Sequence, residues 1–139
     1  MSRRTDQRRA AVFALYQHDV TGRPLDDAFE PGAATFTKAL AHATADHADG
    51  LDERIGRHAK GWTVQRIAPL ERAILRTALL EMLYPELVEG ERPIPAEGAI
   101  DEAVETAKAF CGSEAPGFVN GILAAVLREA RATGGAHVA

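Results

Sequence analysis

Apolar residues recur every three or four positions along most of the chain, which is the spacing of one face of an α-helix. The most regular predicted helices cover residues 5–20, 69–84 and 96–110. Weaker periodicity predicts helices around residues 36–43 and 51–59, and a last one between Ser113 and Gly134. No segment shows the strict alternation of apolar and polar residues that a half-buried strand needs. The pattern therefore predicts an all-α fold of six or seven helices.

Residues with special backbone preferences mark the ends of these helices. Thr5 is a predicted N-cap, because its hydroxyl can accept a hydrogen bond from the first turn. The run Thr21-Gly22-Arg23-Pro24 is a stop signal, and Gly50 divides the two weaker helices. Pro69 suits the first position of its helix, and Ser113 is the predicted cap of the last one.

Helix 69–84 carries apolar side chains around most of its circumference, so we expect it to be central and buried on more than one side. A loop is predicted over residues 85–95. The chain has 139 residues, a mass of 14.9 kDa and no linker-like segment, which predicts a single compact domain over residues 1–139. Residues 1–4 and 134–139 are expected to be frayed. The 27 alanines agree with the all-α class, because alanine is the best helix former.

Several chemistries lack their sequence signals. The single cysteine, Cys111, excludes an internal disulfide and a cysteine-based metal site. The spacing of His42, His47 and His58 is not that of a metal-binding pair, and no metal is expected. Neither a phosphate-binding glycine-rich motif nor a dinucleotide fingerprint occurs, so we expect no cofactor and no catalytic residue. With no apolar run of about 20 residues and no signal-peptide pattern, a cytoplasmic protein without a membrane segment is expected.

Charge is distributed unevenly along the chain. The net charge is −4, but residues 1–9 carry +3 and the remainder carries −7. The positive segment contains Arg3, Arg4, Arg8 and Arg9, and positions 4 and 8 share a helical face. Because arginine is a bidentate ligand for phosphate, this arm is a candidate anion-binding patch. A frayed, solubilising terminus is the alternative interpretation.

Two further features have both a structural and a functional interpretation. Asn120-Gly121 lies inside a predicted helix, where its low helix propensity requires close packing against another helix or a polar contact of Asn120. Phe118, just before this pair, is either a core residue or a ring presented for base stacking. Charged residues within helix 69–84, such as Glu71 and Arg76, lie at an exposed edge that faces either plain solvent or a partner.

Four segments of the chain form an ordered set. They are RRAAVFALYQ at 8–17, LERAILRTALLEM at 70–82, IP at 94–95 followed by AIDEAVETAKAF at 99–110, and FVNGIL at 118–123. In order and spacing these segments resemble the NusB family of transcription antitermination factors. The resemblance extends over nearly the whole chain and is poorest over residues 21–60.

The resemblance implies a fold of two perpendicular three-helix bundles that form one compact NusB-like domain. It also implies binding to the single-stranded boxA element of nascent ribosomal RNA, jointly with the ribosomal protein NusE. Such a complex joins the elongating RNA polymerase and supports processive transcription. The alternative is a helical protein-interaction module, or a homodimer without a direct role in RNA binding.

Site residues follow from the resemblance position by position. RNA contacts are expected at Arg3, Arg4, Arg8, Arg9, Arg76, Glu114 and Phe118. Contacts with NusE are expected at Tyr16 and Glu71. Two positions depart from the family pattern. Gly117 stands where a lysine is common, which removes a phosphate contact, and Gly98 stands at a usually apolar place, which is expected to loosen the helix around Ile100.

Overall fold

A computed structural model of the chain describes residues 3–88 and 93–133. These residues form six α-helices and three short 3-10 helices, and no strand occurs among them. The α-helices are α1 (Arg3–Thr21), α2 (Thr35–Asp46), α3 (Ala48–His58), α4 (Pro69–Leu83), α5 (Ala96–Phe110) and α6 (Ala115–Ala132). The predicted all-α fold class is confirmed. Within the described ranges, no helix combines the length and the apolar character needed to cross a membrane.

Helix α4 is the centre of the fold. It packs against each of the other five α-helices, and ten of its 15 residues are buried, so apolar contact surrounds it on more than one side. Helices α1 and α2 form one group with α4, and α5 and α6 form a second group with it. Helix α3 packs on both α4 and α6. The predicted central position of this helix is confirmed.

Several predicted helix ends agree with the structure. Helix α5 has the bounds that its periodicity predicts, and Pro69 occupies the first turn of α4. Helix α1 ends where the stop signal was expected, and Gly22 there adopts a φ of 73°, a left-handed conformation that favours glycine. The expected fraying of residues 1–4 does not apply to Arg3 and Arg4, which lie within α1.

Three predicted capping or breaking residues are wrong. Thr5 lies inside α1, where its hydroxyl donates to Glu102 Oε2 at 3.2 Å instead of capping the helix. Gly50 lies inside α3, and the break between α2 and α3 falls at His47. Ser113 precedes the N-cap position of α6, which Glu114 occupies without a side-chain hydrogen bond. Residues 1–2, 89–92 and 134–139, parts of the predicted termini and loop, lie outside the described residues.

The helical glycines differ in what surrounds them. A Cβ built on Gly98 would lie 2.9 Å from Ile94 Cγ1, so the side chain of Ile94 fills the space that a larger residue at position 98 would need. A Cβ on Gly117 or Gly121 would meet no atom of the described residues within 4 Å. Close helix packing therefore does not explain the Asn120-Gly121 pair, whose two residues are both exposed.

This difference predicts unequal effects of two alanine substitutions on stability. Gly121→Ala should raise the free energy of unfolding by about 1 kcal/mol, because alanine is favoured over glycine by that amount in a helix interior. Gly98→Ala should gain less than half as much or lose stability, because Ile94 must shift. Urea unfolding of both variants measures the difference, and equal gains would contradict the packing of Ile94 on Gly98.

Candidate nucleic-acid interface

The guanidinium of Arg8 is held inside the protein by Glu81. Arg8 Nε donates to Glu81 Oε1 at 2.8 Å and Nη2 donates to Oε2 at 3.0 Å, a two-point contact that joins α1 to α4. The side chain of Arg8 is 13% exposed and that of Glu81 is 8% exposed. The Nε and Nη2 donors of Arg8 are thus engaged by a carboxylate of the same chain. Sequence analysis predicted that Arg8 contacts RNA.

Burial has a strong effect on Glu81. Desolvation raises the pKa of its carboxyl above the ordinary value, although the hydrogen bonds and charge of Arg8 act to lower it. The nearby carboxylate of Glu102 adds to the rise, and the charge of Arg4 opposes it. Arg8 is therefore the main reason that an ionised carboxylate is tolerated at this place.

Arg3 and Arg4 lie beside the first turn of α2. The Arg4 guanidinium carbon lies 4.0 Å from the centre of the Phe36 ring, and that of Arg8 lies 5.3 Å from the same ring. The predicted common face of positions 4 and 8 is thus confirmed, and this face points toward α2. Arg3 and Arg4 line a cavity of about 580 Å³ together with Gln7, Ala34, Thr35 and Phe36. This surface is called the arginine arm below.

Arg9 takes a different direction, toward the end of α5. Its guanidinium carbon lies 5.5 Å from the centre of the Phe110 ring. Phe110 is 48% exposed and meets Phe13 edge to face, with ring centres 4.9 Å apart. Sequence analysis missed this aromatic pair, because helical periodicity places Phe13 and Phe110 on their helices without indicating that they meet.

A cavity lies between the start of α4 and the start of α6. Its volume is about 790 Å³, and we call it the aromatic cleft. It is lined by Trp62, Arg66, Ile67, Ala68 and Glu71 on one side and by Gly112, Ser113, Glu114, Ala115 and Phe118 on the other. The structure therefore brings together Glu71, Glu114 and Phe118. The family resemblance had assigned Glu114 and Phe118 to RNA and Glu71 to NusE.

Two side chains that line the aromatic cleft, Glu71 and Phe118, are partly buried. Burial raises the pKa of the Glu71 carboxyl above its ordinary value. Phe118 is half-buried, and it packs against the core while also lining the cleft. Both alternatives that the sequence left open for Phe118 thus describe part of its surroundings.

Arg76 and Tyr16 do not line the aromatic cleft. Arg76 donates from Nε and Nη2 to the two carboxylate oxygens of Asp52, each at 2.7 Å, and its side chain is 20% exposed. This pair joins α4 to α3, so Arg76, like Arg8, is engaged by an internal carboxylate. Tyr16 is half-buried and packs against the hydrophobic core.

Sequence analysis did not predict the role of Arg72, which holds two parts of the structure together. Its Nη2 donates to Asp19 Oδ2 at 2.7 Å. Its Nη1 lies 3.2 Å from the backbone carbonyl oxygens of Val64, Gln65 and Ile67. Arg72 therefore ties the end of α1 to the segment that forms one wall of the aromatic cleft. The charge at the edge of helix 69–84 was the available signal, but it could not indicate which backbone atoms lie nearby.

Among residues 3–88 and 93–133, no three histidine, cysteine, aspartate or glutamate side chains gather in a way that could hold a metal ion. The start of α1 carries the exposed Arg3 and the partly buried Arg4 and Arg9, with aromatic rings beside them, and these features make the small all-α protein a candidate for nucleic-acid binding. The sequence profile of the NusB family matches residues 5–128, and the chain belongs to this family.

Individual relatives agree with that assignment. The chain is 40% identical to the transcription antitermination protein NusB of Halalkalibacterium halodurans, over 88% of this chain and 91% of the relative. The protein of the same name from Bacillus subtilis is also 40% identical, over 88% and 92% of the two chains. The fold is similar to T. maritima NusB, with a TM-score of 0.79, 27% identity and 92% of each chain covered. It also resembles NusB from a structure of NusB and NusE with dsRNA, with a TM-score of 0.76, 24% identity and coverage of 93% and 99%.

The Arg8–Glu81 pair predicts a pH-dependent loss of stability. Arg8→Ala leaves a buried carboxylate without its partner, which should cost about 3 kcal/mol of unfolding free energy at pH 7. Without Arg8 the raised pKa of Glu81 rises further, so the folded state takes up a proton more readily than the unfolded state. The loss relative to the unsubstituted protein should therefore shrink between pH 7 and pH 5.

Urea unfolding at both pH values measures this loss. The control compares the Arg8→Ala, Glu81→Gln double variant with Glu81→Gln alone. Both proteins lack the titrating group, so the difference between their free energies of unfolding should not depend on pH. A loss of the same size at pH 7 and pH 5 would show that Glu81 is not the group responsible.

Proposed function

We propose that this protein is a transcription antitermination factor that binds boxA-type RNA of nascent ribosomal RNA jointly with the ribosomal protein NusE. In this role it supports processive elongation by RNA polymerase in the cytoplasm and catalyses no reaction itself. Support comes from membership of the NusB family and from relatives that carry the name transcription antitermination protein. A homodimer is the alternative assembly proposed for the same chain.

The observation that carries the proposal is the arginine arm. Arg3 and Arg4 border a cavity at the first turn of α2, where Ala34 offers no side-chain cap to the backbone N–H groups. Such N–H groups and arginine side chains both favour phosphate oxygens. Since the rest of the chain is acidic, this positive surface is local and suits one stretch of RNA backbone.

The remaining predicted RNA contacts divide into two groups. In the first group, Arg9 offers a cation beside the ring of Phe110. Phe118 offers a second ring for base stacking, and Glu114 offers a carboxylate that accepts from base amino groups. Arg8 and Arg76 are engaged by internal carboxylates. We therefore propose that these two arginines position the helices and that the first group touches RNA.

The protein partner is proposed to bind at Tyr16 and Glu71. A basic ribosomal protein is attracted to the acidic body of the chain, and its binding reduces the repulsion that RNA meets there. Glu71 also lines the aromatic cleft, so partner and RNA would meet at this carboxylate. The exposed ring of Phe110 favours the alternative of a protein-interaction module, because such rings are common in protein interfaces.

The arginine arm predicts a change in the salt dependence of RNA binding. For single-stranded RNA, log affinity falls with log salt by about 0.7 per neutralised phosphate. Replacing Arg3 and Arg4 together by Gln should reduce the slope by roughly 1.4 if each contacts one phosphate. The measurement is a titration of labelled boxA-type RNA at several salt concentrations, with and without NusE.

Arg23→Gln with Arg128→Gln is the matched control, since it removes two exposed arginines at the far end of α1 and on α6. This variant should keep the slope of the unsubstituted protein. Equal slopes for both double variants would contradict the phosphate contacts of the arm. Absence of RNA binding with and without NusE, together with a dimer in a sizing measurement, would favour the interaction-module alternative.

A further inference from the structure

We propose that Trp62 and Arg66 form a second RNA-binding wall of the aromatic cleft, opposite Phe118. In this arrangement Trp62 stacks on a base, and Arg66 supplies the cation for the adjacent phosphate. The inference rests on the proposed function and extends it, because sequence analysis assigned no site residue among residues 62–66. Both side chains line the same cavity as Phe118 and Glu114.

The exposure of Trp62 is the first observation. The residue is 54% exposed, and it belongs neither to the buried core nor to the half-buried apolar side chains that pack on it. The fold of the described residues therefore does not use this ring for packing. A large aromatic side chain left at the mouth of a cavity offers a flat face to a planar ligand, and bases of every type have such a face.

The backbone that carries Trp62 and Arg66 is fixed, which is the second observation. Gly61 has a φ of 76°, a left-handed conformation that turns the chain out of α3. The backbone N–H of Trp62 then donates to the carbonyl of Ala59 at 2.8 Å, and that of Arg66 donates to Thr63 at 2.9 Å. The guanidinium of Arg72 holds three carbonyls of the following segment. A wall fixed in advance loses little conformational freedom when a ligand binds.

The third observation is the charge of the cleft lining. Among the described side chains that line the cleft, Arg66 is the single cation, while Glu71 and Glu114 are carboxylates. Gly117, next to Phe118, offers no side chain to a ligand. When a base stacks in the cleft, Arg66 is therefore the cation of the lining that can bind the adjacent phosphate.

Charge alone does not distinguish RNA from a basic peptide in this cleft, because Glu71 and Glu114 attract such a peptide and repel phosphate, while Arg66 does the reverse. The rings of Trp62 and Phe118 favour a ligand with planar bases. A nucleotide uses all three kinds of group, since the rings stack on the base, the carboxylates accept from its amino groups and Arg66 meets phosphate. The cavity of about 790 Å³ also lies within the range of about 300–1,000 Å³ that small-ligand sites occupy.

The experiment uses the full chain and labelled boxA-type RNA, with NusE present and absent. Trp62 is the only tryptophan, so its own fluorescence reports on the cleft. RNA should quench this fluorescence with the same midpoint as the label signal. Trp62→Ala should weaken RNA binding about tenfold or more with an unchanged salt slope, whereas Trp62→Phe should keep most of the affinity.

Arg66 is tested through the salt slope. Arg66→Gln should reduce the slope by about 0.7, the value for one phosphate. A Cβ at Gly117 meets no atom within 4 Å in the part of the chain that the structure describes, so Gly117→Lys can add a cation beside Phe118 without a clash at that position. In the Arg66→Gln background, Gly117→Lys should restore the slope, while Arg128→Gln alone should leave it unchanged. Thermal unfolding of each variant should stay near that of the unsubstituted protein.

The outcomes separate this inference from the proposed function. If labelled RNA binds but the fluorescence of Trp62 stays constant and Trp62→Ala binds equally well, the inference is wrong and the proposed function stands. If NusE alone quenches Trp62 and RNA does not, the cleft belongs to the protein partner, which also overturns the inference. If RNA does not bind under any of these conditions, the proposed function itself fails.

Discussion

The ion pair between Arg8 and Glu81 is the constraint on which the surface of this protein depends. It joins the first helix to the central one through two hydrogen bonds in a place that is almost closed to water. Burying two charges costs desolvation energy that their attraction roughly offsets, so the pair adds little net stability. Its effect is instead geometric, because the two hydrogen bonds restrict the rotation of α1 about its own axis relative to α4. Arg4 and Arg9 are thereby directed to two different aromatic rings.

A second set of charges acts at the opposite end of the same two helices. Arg72 and Arg76 on α4 hold Asp19 of α1 and Asp52 of α3, and Arg72 also holds the carbonyls of the segment after α3. Helix α4 thus determines both where the arginine arm lies and how the wall of the aromatic cleft is shaped. A count of charges alone would assign Arg8, Arg72 and Arg76 to ligand binding. In the structure they form ion pairs between helices, and these pairs position the arginine arm.

The helices were predictable and these contacts were not. Helix position follows from local periodicity, so α5 was predicted to the residue and α4 within one residue. Thr5 failed as an end signal because a distant side chain binds its hydroxyl, and Gly50 failed because α3 continues through it. Helix α6 begins one residue later than a cap at Ser113 would place it. Arg8 and Glu81 are 73 positions apart, and nothing in either segment alone indicates that they meet. The wall of the cleft was missed for the same reason, since the groups that hold it come from another helix.

The most direct test of this account replaces the pair by apolar residues of similar size, Arg8→Met with Glu81→Leu, and measures RNA affinity against salt. Such exchanges keep a buried contact without leaving a charge unpaired. If Arg8 only positions α1, the folded double variant should bind boxA-type RNA with the salt slope of the unsubstituted protein. A slope reduced by about 0.7 in a stably folded double variant would make Arg8 itself a phosphate ligand and would contradict the account.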